Sequence, residues 1–89
     1  MSEITLTVRH EVGLHARPAA LFVQTAKKFS CDIEVTHGER QANAKSILNV
    51  LTLGANQGSV ISIRAEGGDA KQALEALGAL VESNFGEGK

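Results

Sequence analysis

The sequence predicts an α+β fold, with helices layered on one face of a mostly antiparallel sheet. Three observations predict it. Segments alternating with period two are interspersed with segments of helical spacing. Their order is strand, helix, strand, strand, short helix, strand, helix. The strands are joined both by a hairpin and by helical crossovers. With 89 residues the chain makes one domain, residues 1–89, because chains divide only when they grow much longer. A domain of this size holds a shallow site rather than an enclosed substrate cavity.

Each element has its own signal. Ile4, Leu6 and Val8 alternate with Glu3, Thr5 and Thr7, the period of a half-buried strand. Gly13 breaks the chain before an alanine-rich stretch from Ala16 to Phe29, where Ala19, Phe22, Val23, Ala26 and Phe29 recur at helical spacing. Cys31, Ile33 and Val35 alternate as a second strand, and Cys31 reads as a buried strand residue. His37-Gly38-Glu39 reads as a tight turn into a short third strand near Arg40 to Asn43. Ser46 to Leu53 reads as a short helix stopped by Gly54. Ser59 to Ala65 is a fourth strand, and Gly67-Gly68-Asp69 is a turn in which Asp69 is expected to cap the last helix. Ala70, Ala73, Leu74, Leu77, Leu80 and Val81 give that helix its apolar stripe, and the tail, residues 86–89, is expected to fray.

Composition excludes several classes. Nine basic against ten acidic residues leave a net charge of −1, with three Phe and no Trp or Tyr. A nucleic-acid binder shows a basic excess interleaved with aromatics, so nucleic acid is not an expected partner. The single Cys31 cannot form an internal disulfide. Residues 1–5 lack the basic and apolar blocks of a signal peptide, and no apolar run approaches the roughly 20 residues that span a bilayer. The expectation is a cytoplasmic monomer away from the membrane. His10 and His37 lack Cys or carboxylate partners at ligand spacing and read as loop residues, so no metal is expected. Gly67-Gly68 lacks the full glycine fingerprint of a nucleotide loop, and no cofactor is expected.

The chemistry concentrates in Gly13-Leu14-His15-Ala16-Arg17-Pro18-Ala19-Ala20. Pro18 marks a first helical turn, where its missing N–H is harmless and its φ is already helical. His15 then falls at or just before the N-cap. Free N–H groups at a helix start form an anion site, and the positive end of the helix dipole favours a neutral, nucleophilic ring. Arg17 is close enough to cover phosphate oxygens with its fork of donors. A nucleophile, an anion nest and a guanidinium within three positions suit reversible phosphoryl transfer. Read as a plain structural residue, His15 would be a surface cap and Arg17 a solvated charge.

The octet Gly13 to Ala20 resembles the active-site motif of the HPr family, the histidine-containing phosphocarriers of the bacterial phosphoenolpyruvate:sugar phosphotransferase system. A second segment agrees: Ala44-Lys45-Ser46-Ile47-Leu48 with Leu51-Thr52-Leu53-Gly54 resembles that family's regulatory-serine region. The order of elements matches from Ile4 to Phe85. The resemblance implies an open-faced β-sandwich, with three helices on one face of a four-stranded antiparallel sheet (βαββαβα). It also implies a phosphocarrier rather than an enzyme, receiving phosphate that originates in phosphoenolpyruvate from enzyme I on His15. The onward acceptor it implies is the IIA component of a sugar permease.

Carried over by position, His15 is the phosphoryl acceptor and Arg17 its electrostatic partner. The family uses the ring nitrogen nearer the backbone, which implies that the backbone N–H groups of Ala16 and Arg17 bind the phosphoryl group. Ser46 matches the serine that some bacteria phosphorylate through a dedicated kinase (a kinase/phosphorylase), although Ser is also a favoured N-cap for the following helix. Ile47, Leu48, Val50, Leu51 and Leu53 are more apolar residues than a short helix lying on a sheet can hide. Leu48, about 100° round from Ile47, is expected to point outward. Ile47, Leu48 and Leu51 are therefore candidates for a docking patch, continued along the first helix by Ala20, Gln24 and Lys27 at three- and four-residue steps. Two other functions compete. One is a regulatory paralogue of the family, from the nitrogen-related or dihydroxyacetone branch. The other is a split-βαβ domain that binds a metabolite, which would need no nucleophile at a helix start.

Overall fold

The computed structural model describes residues 2–86. Seven elements appear in the expected order: β1 (Ser2–Thr7), α1 (Ala16–Ala26), β2 (Asp32–His37), β3 (Arg40–Asn43), α2 (Ile47–Leu51), β4 (Val60–Glu66) and α3 (Ala70–Glu82). The strands form one sheet in the order β1-β4-β2-β3, every neighbouring pair antiparallel. β1 and β2 thus run parallel with β4 between them, and α1 makes the crossover that joins them.

Register explains why the helices lie on a single face. Ile4 pairs with Ile63, Ile63 with Val35, and Val35 with Ala42, so one apolar row crosses all four strands. One residue along, Thr5, Ser62, Thr36 and Gln41 form the corresponding row on the other face. Successive side chains alternate across a sheet, so a one-residue slip would exchange the two faces. The apolar face is buried under the helices, while the polar face stays open and carries an Arg64–Glu34 ion pair at 3.7 Å. This is the open-faced sandwich with three helices on a four-stranded sheet.

α3 lies on β1 and β4, and α1 packs against both α2 and α3. The α3 stripe buries Ala70, Ala73, Leu74, Leu77 and Val81, with Leu80 half-buried. From α1 come Pro18, Ala19, Phe22, Val23 and Ala26, and Phe22 is completely enclosed.

Several details depart from expectation. Asp69 occupies the N-cap position of α3 but makes no capping bond. Its carboxylate instead accepts from the backbone N–H groups of Ser30 at 2.9 Å and Cys31 at 3.0 Å, tying the end of the α1–β2 loop to α3. Hydrogen bonds from the Ser30 backbone, and then from the Cys31 side chain, hold this carboxyl below its ordinary range. Cys31 is buried as expected but lies one residue before β2, and burial pushes its thiol up, with Asp69 adding to the shift. His10 lies in the β1–α1 loop as expected, whereas His37 belongs to a strand. His10 is 6% exposed, accepts from the Val12 N–H through Nδ1 and meets the Phe85 ring edge-on. His37 ends β2, and its Nδ1 lies 2.8 Å from the Leu53 carbonyl. Of the tail expected to fray, Gly86 is held by its N–H to the Ser83 carbonyl at 3.2 Å, and residues 87–89 lie outside the described residues.

Candidate functional site

The site is built where the α1 helix begins against the segment before β4. His15 is the N-cap of α1, with extended backbone at φ −134° and ψ 167°, and its side chain makes no capping bond. The first intrahelical bond runs from Ala19 N–H to the His15 carbonyl at 3.3 Å. The N–H groups of Ala16 and Arg17 lie ahead of that bond, and Pro18 has no N–H to offer, so these two are the donors facing outward. Arg17 is exposed, and its guanidinium has no partner among the described residues. The ends of a helix start and a guanidinium are both donor-only, which suits an anion with several oxygens.

Ala16 adopts a φ of +48°, a left-handed conformation that costs an L-residue about 1–2 kcal/mol. Backbone held in such a region is characteristic of sites whose geometry is imposed by the surrounding fold. Here the imposing contacts are visible. Leu14 is fully buried, and its N–H donates to the Ala55 carbonyl at 2.8 Å. Gly13, at φ +81°, lies so close to this segment that a Cβ there would sit 2.6 Å from the Ala55 oxygen and 2.7 Å from the Asn56 Cα. Only glycine meets both demands. Buried Pro18 and Ala19 anchor the other side.

That close approach brings in a residue the sequence reading missed. The His15 Nε2 lies 3.1 Å from Asn56 Oδ1. Asn56 is 41 positions away along the chain, in a loop without periodicity, and no local signal connects it to His15.

The second segment is laid out more conventionally. Ser46 is the N-cap of α2, its hydroxyl accepting from the Asn49 N–H at 3.3 Å. Among the five residues of α2 only Val50 is buried. Leu48 is 72% exposed, and Ile47 and Leu51 are 39% and 38% exposed, so three apolar side chains reach solvent. Val12, in the loop before α1, is a further exposed apolar residue, at 46%. On α1, Gln24 and Lys27 are exposed and Ala20 half-buried. Among the described residues no group of His, Cys, Asp and Glu is arranged to hold a metal, and no helix is long and apolar enough to cross a membrane.

A histidine at an open helix start on an open-faced sandwich fits the histidine phosphocarrier class. The comparisons agree: the family described as the PTS HPr component phosphorylation site matches residues 2–83. The chain is 45% identical over 87 residues to the phosphocarrier protein HPr of Xylella fastidiosa, covering 98% of each. It also matches the multiphosphoryl transfer protein of Escherichia coli O157:H7, 43% identical over 84 residues, covering 91% of this chain and 22% of that protein. Among solved structures, HPr of Thermoanaerobacter tengcongensis superposes with a TM-score of 0.97 at 50% identity, covering both chains completely. The chain belongs to the HPr family and is a phosphocarrier of the phosphotransferase system, not an enzyme in its own right. The metabolite-binding reading is thereby set aside.

Proposed function

We propose that His15 is the phosphoryl acceptor, with the Ala16 and Arg17 N–H groups and the Arg17 guanidinium receiving the phosphoryl oxygens. The observation that carries this reading is that the His15 ring caps nothing, although it occupies an N-cap whose following N–H groups are open. Phosphate enters from enzyme I and leaves to the IIA component of a sugar permease, with the protein acting as a cytoplasmic monomer. The resemblance to the family supports these partners, and so does the match to part of a multiphosphoryl transfer protein. The exposed Ile47, Leu48 and Leu51, continued by Ala20, Gln24 and Lys27 on α1, form the surface on which donor and acceptor dock in turn. The packing of α1 against α2 supports a shared surface. Ser46, at the rim of this patch, is the regulatory position, where a phosphate from a dedicated kinase adds charge that a docking partner must desolvate.

His15→Ala tests the reading. Incubated with phosphoenolpyruvate and enzyme I, the parent acquires one acid-labile phosphoryl group by intact mass, and the variant none, at nearly unchanged melting temperature. Phosphorylation of the variant at His10 or His37 would overturn the assignment.

A further inference from the structure

We propose that Asn56 is a positioning residue for phosphoryl transfer, one that holds the neutral His15 ring with its proton on Nε2. The inference rests on the reading of His15 as the acceptor.

The argument begins with the 3.1 Å separation of His15 Nε2 and Asn56 Oδ1. An amide oxygen only accepts, so Nε2 must donate. A neutral imidazole has one N–H, and its other nitrogen is left with a lone pair. That nitrogen is Nδ1, which has no hydrogen-bond partner among the described residues. One amide therefore selects which nitrogen is the nucleophile.

The consequence is a transfer cycle in which His15 moves no proton. As Nδ1 attacks, its lone pair forms the N–P bond, and the donor's bond to phosphorus breaks with its electron pair leaving on the donor. The Nε2 proton stays, so the ring becomes cationic beside the anionic phosphoryl group. On delivery the N–P pair returns to Nδ1, the phosphoryl group passes to the acceptor's nucleophile, and the starting tautomer is restored. A ring protonated on Nδ1 would first have to lose that proton.

Asn56 is mounted to do this. Its N–H donates to Ser59 Oγ at 3.0 Å, and its carbonyl accepts from the Ser59 N–H at 2.9 Å. The preceding Ala55 is fully buried and bonded to Leu14, and Gly13 lets the two segments meet. An acceptor supported from both sides fixes a partner ring better than a freely moving side chain. The contact is solvent-exposed, so water replaces part of it when it is lost, and the effect is moderate.

The test compares the wild type with Asn56→Ala and Asn56→Asp by imidazole ¹⁵N NMR at a pH where the His15 ring is neutral. Single-turnover phosphorylation by phosphorylated enzyme I is measured alongside. The wild type shows the Nε2–H tautomer, and Asn56→Ala gains Nδ1–H tautomer and accepts phosphate about two- to tenfold more slowly. Asn56→Asp, which keeps an oxygen in place, retains the Nε2–H signature even where Asn56→Ala folds poorly. An alanine variant with unchanged tautomer and rate overturns the proposal. So does an aspartate variant that loses the signature, because packing rather than the accepting oxygen would then be responsible. A wild type that acquires no phosphoryl group on His15 removes the underlying reading instead, and the two failures are distinct.

Discussion

Helices α1 and α2 both begin at a polar residue in extended backbone, yet they treat that residue differently. At α2, Ser46 accepts from the Asn49 N–H and its carbonyl accepts from the Val50 N–H at 3.0 Å, so this start is closed. At α1, His15 turns its ring away to Asn56, and the next residue is held at positive φ. The first two N–H groups lack an intrahelical partner at both starts, but where α2 has the Asn49 N–H that Ser46 caps, α1 has Pro18, which carries no N–H. At α2 the capping side chain serves the helix, whereas at α1 proline removes the donor a cap would serve, and the side chain and the first two N–H groups stay available for an anion at a conformational cost. The chemistry at the open start and the stability at the closed one should therefore respond to different mutations.

The largest effects fall at the open start. His15→Ala should abolish phosphoryl acceptance while leaving stability almost unchanged, since the ring satisfies no backbone donor. Gly13→Ala should damage both. It forces an L-residue to φ +81° and drives a methyl group into the Ala55–Asn56 backbone, and we expect a loss of about 3 kcal/mol or more by thermal unfolding. Any folded remainder should show the His15 ring released from Asn56. A Gly13→Ala variant with wild-type stability would show that this close approach does not define the open start.

Much of this contrast was legible in the sequence, and the rest was not for identifiable reasons. Alternation in β1, β2 and β4 and the stripe of α3 reflect burial, which leaves a period. Pro18 and Ser46 mark helix starts because their backbone and side-chain chemistry is local. Asn56 meets His15 only through tertiary structure, so no spacing could reveal it. The positive φ of Ala16 is also silent, because alanine carries no signal for a conformation imposed by its neighbours. Asp69 sat at the predicted cap, yet its carboxylate bonds Ser30 and Cys31 from a different loop.

The closed start should give moderate effects. Ser46→Ala removes the capping oxygen and should destabilise by about 1 kcal/mol without preventing phosphorylation of His15. Ser46→Asp keeps an acceptor and adds charge favourable to the helix dipole, so its melting temperature should stay close to the parent's while transfer from enzyme I slows. An aspartate variant that accepts phosphate at the parental rate would reduce Ser46 to a cap. Leu48→Glu should change stability by about 0.5 kcal/mol or less, because the side chain is 72% exposed, while both entry and exit of phosphate weaken. Unfolding on this substitution would remove Leu48 from the docking surface.

The smallest effect is expected at Ala16, and its sign carries the information. Alanine at φ +48° costs about 1–2 kcal/mol relative to a relaxed residue, a cost glycine does not bear. Glycine gains freedom in the unfolded chain, which opposes this by about 0.4–1 kcal/mol. Ala16→Gly should therefore be neutral or stabilising by up to about 1.6 kcal/mol, read as an unchanged or raised melting temperature. The same substitution at Ala20, inside α1 with ordinary helical backbone, should destabilise by about 1 kcal/mol. Opposite signs at two positions of one helix would locate the strain at its open start. Equal losses at both would mean that the backbone at Ala16 is as relaxed as at Ala20.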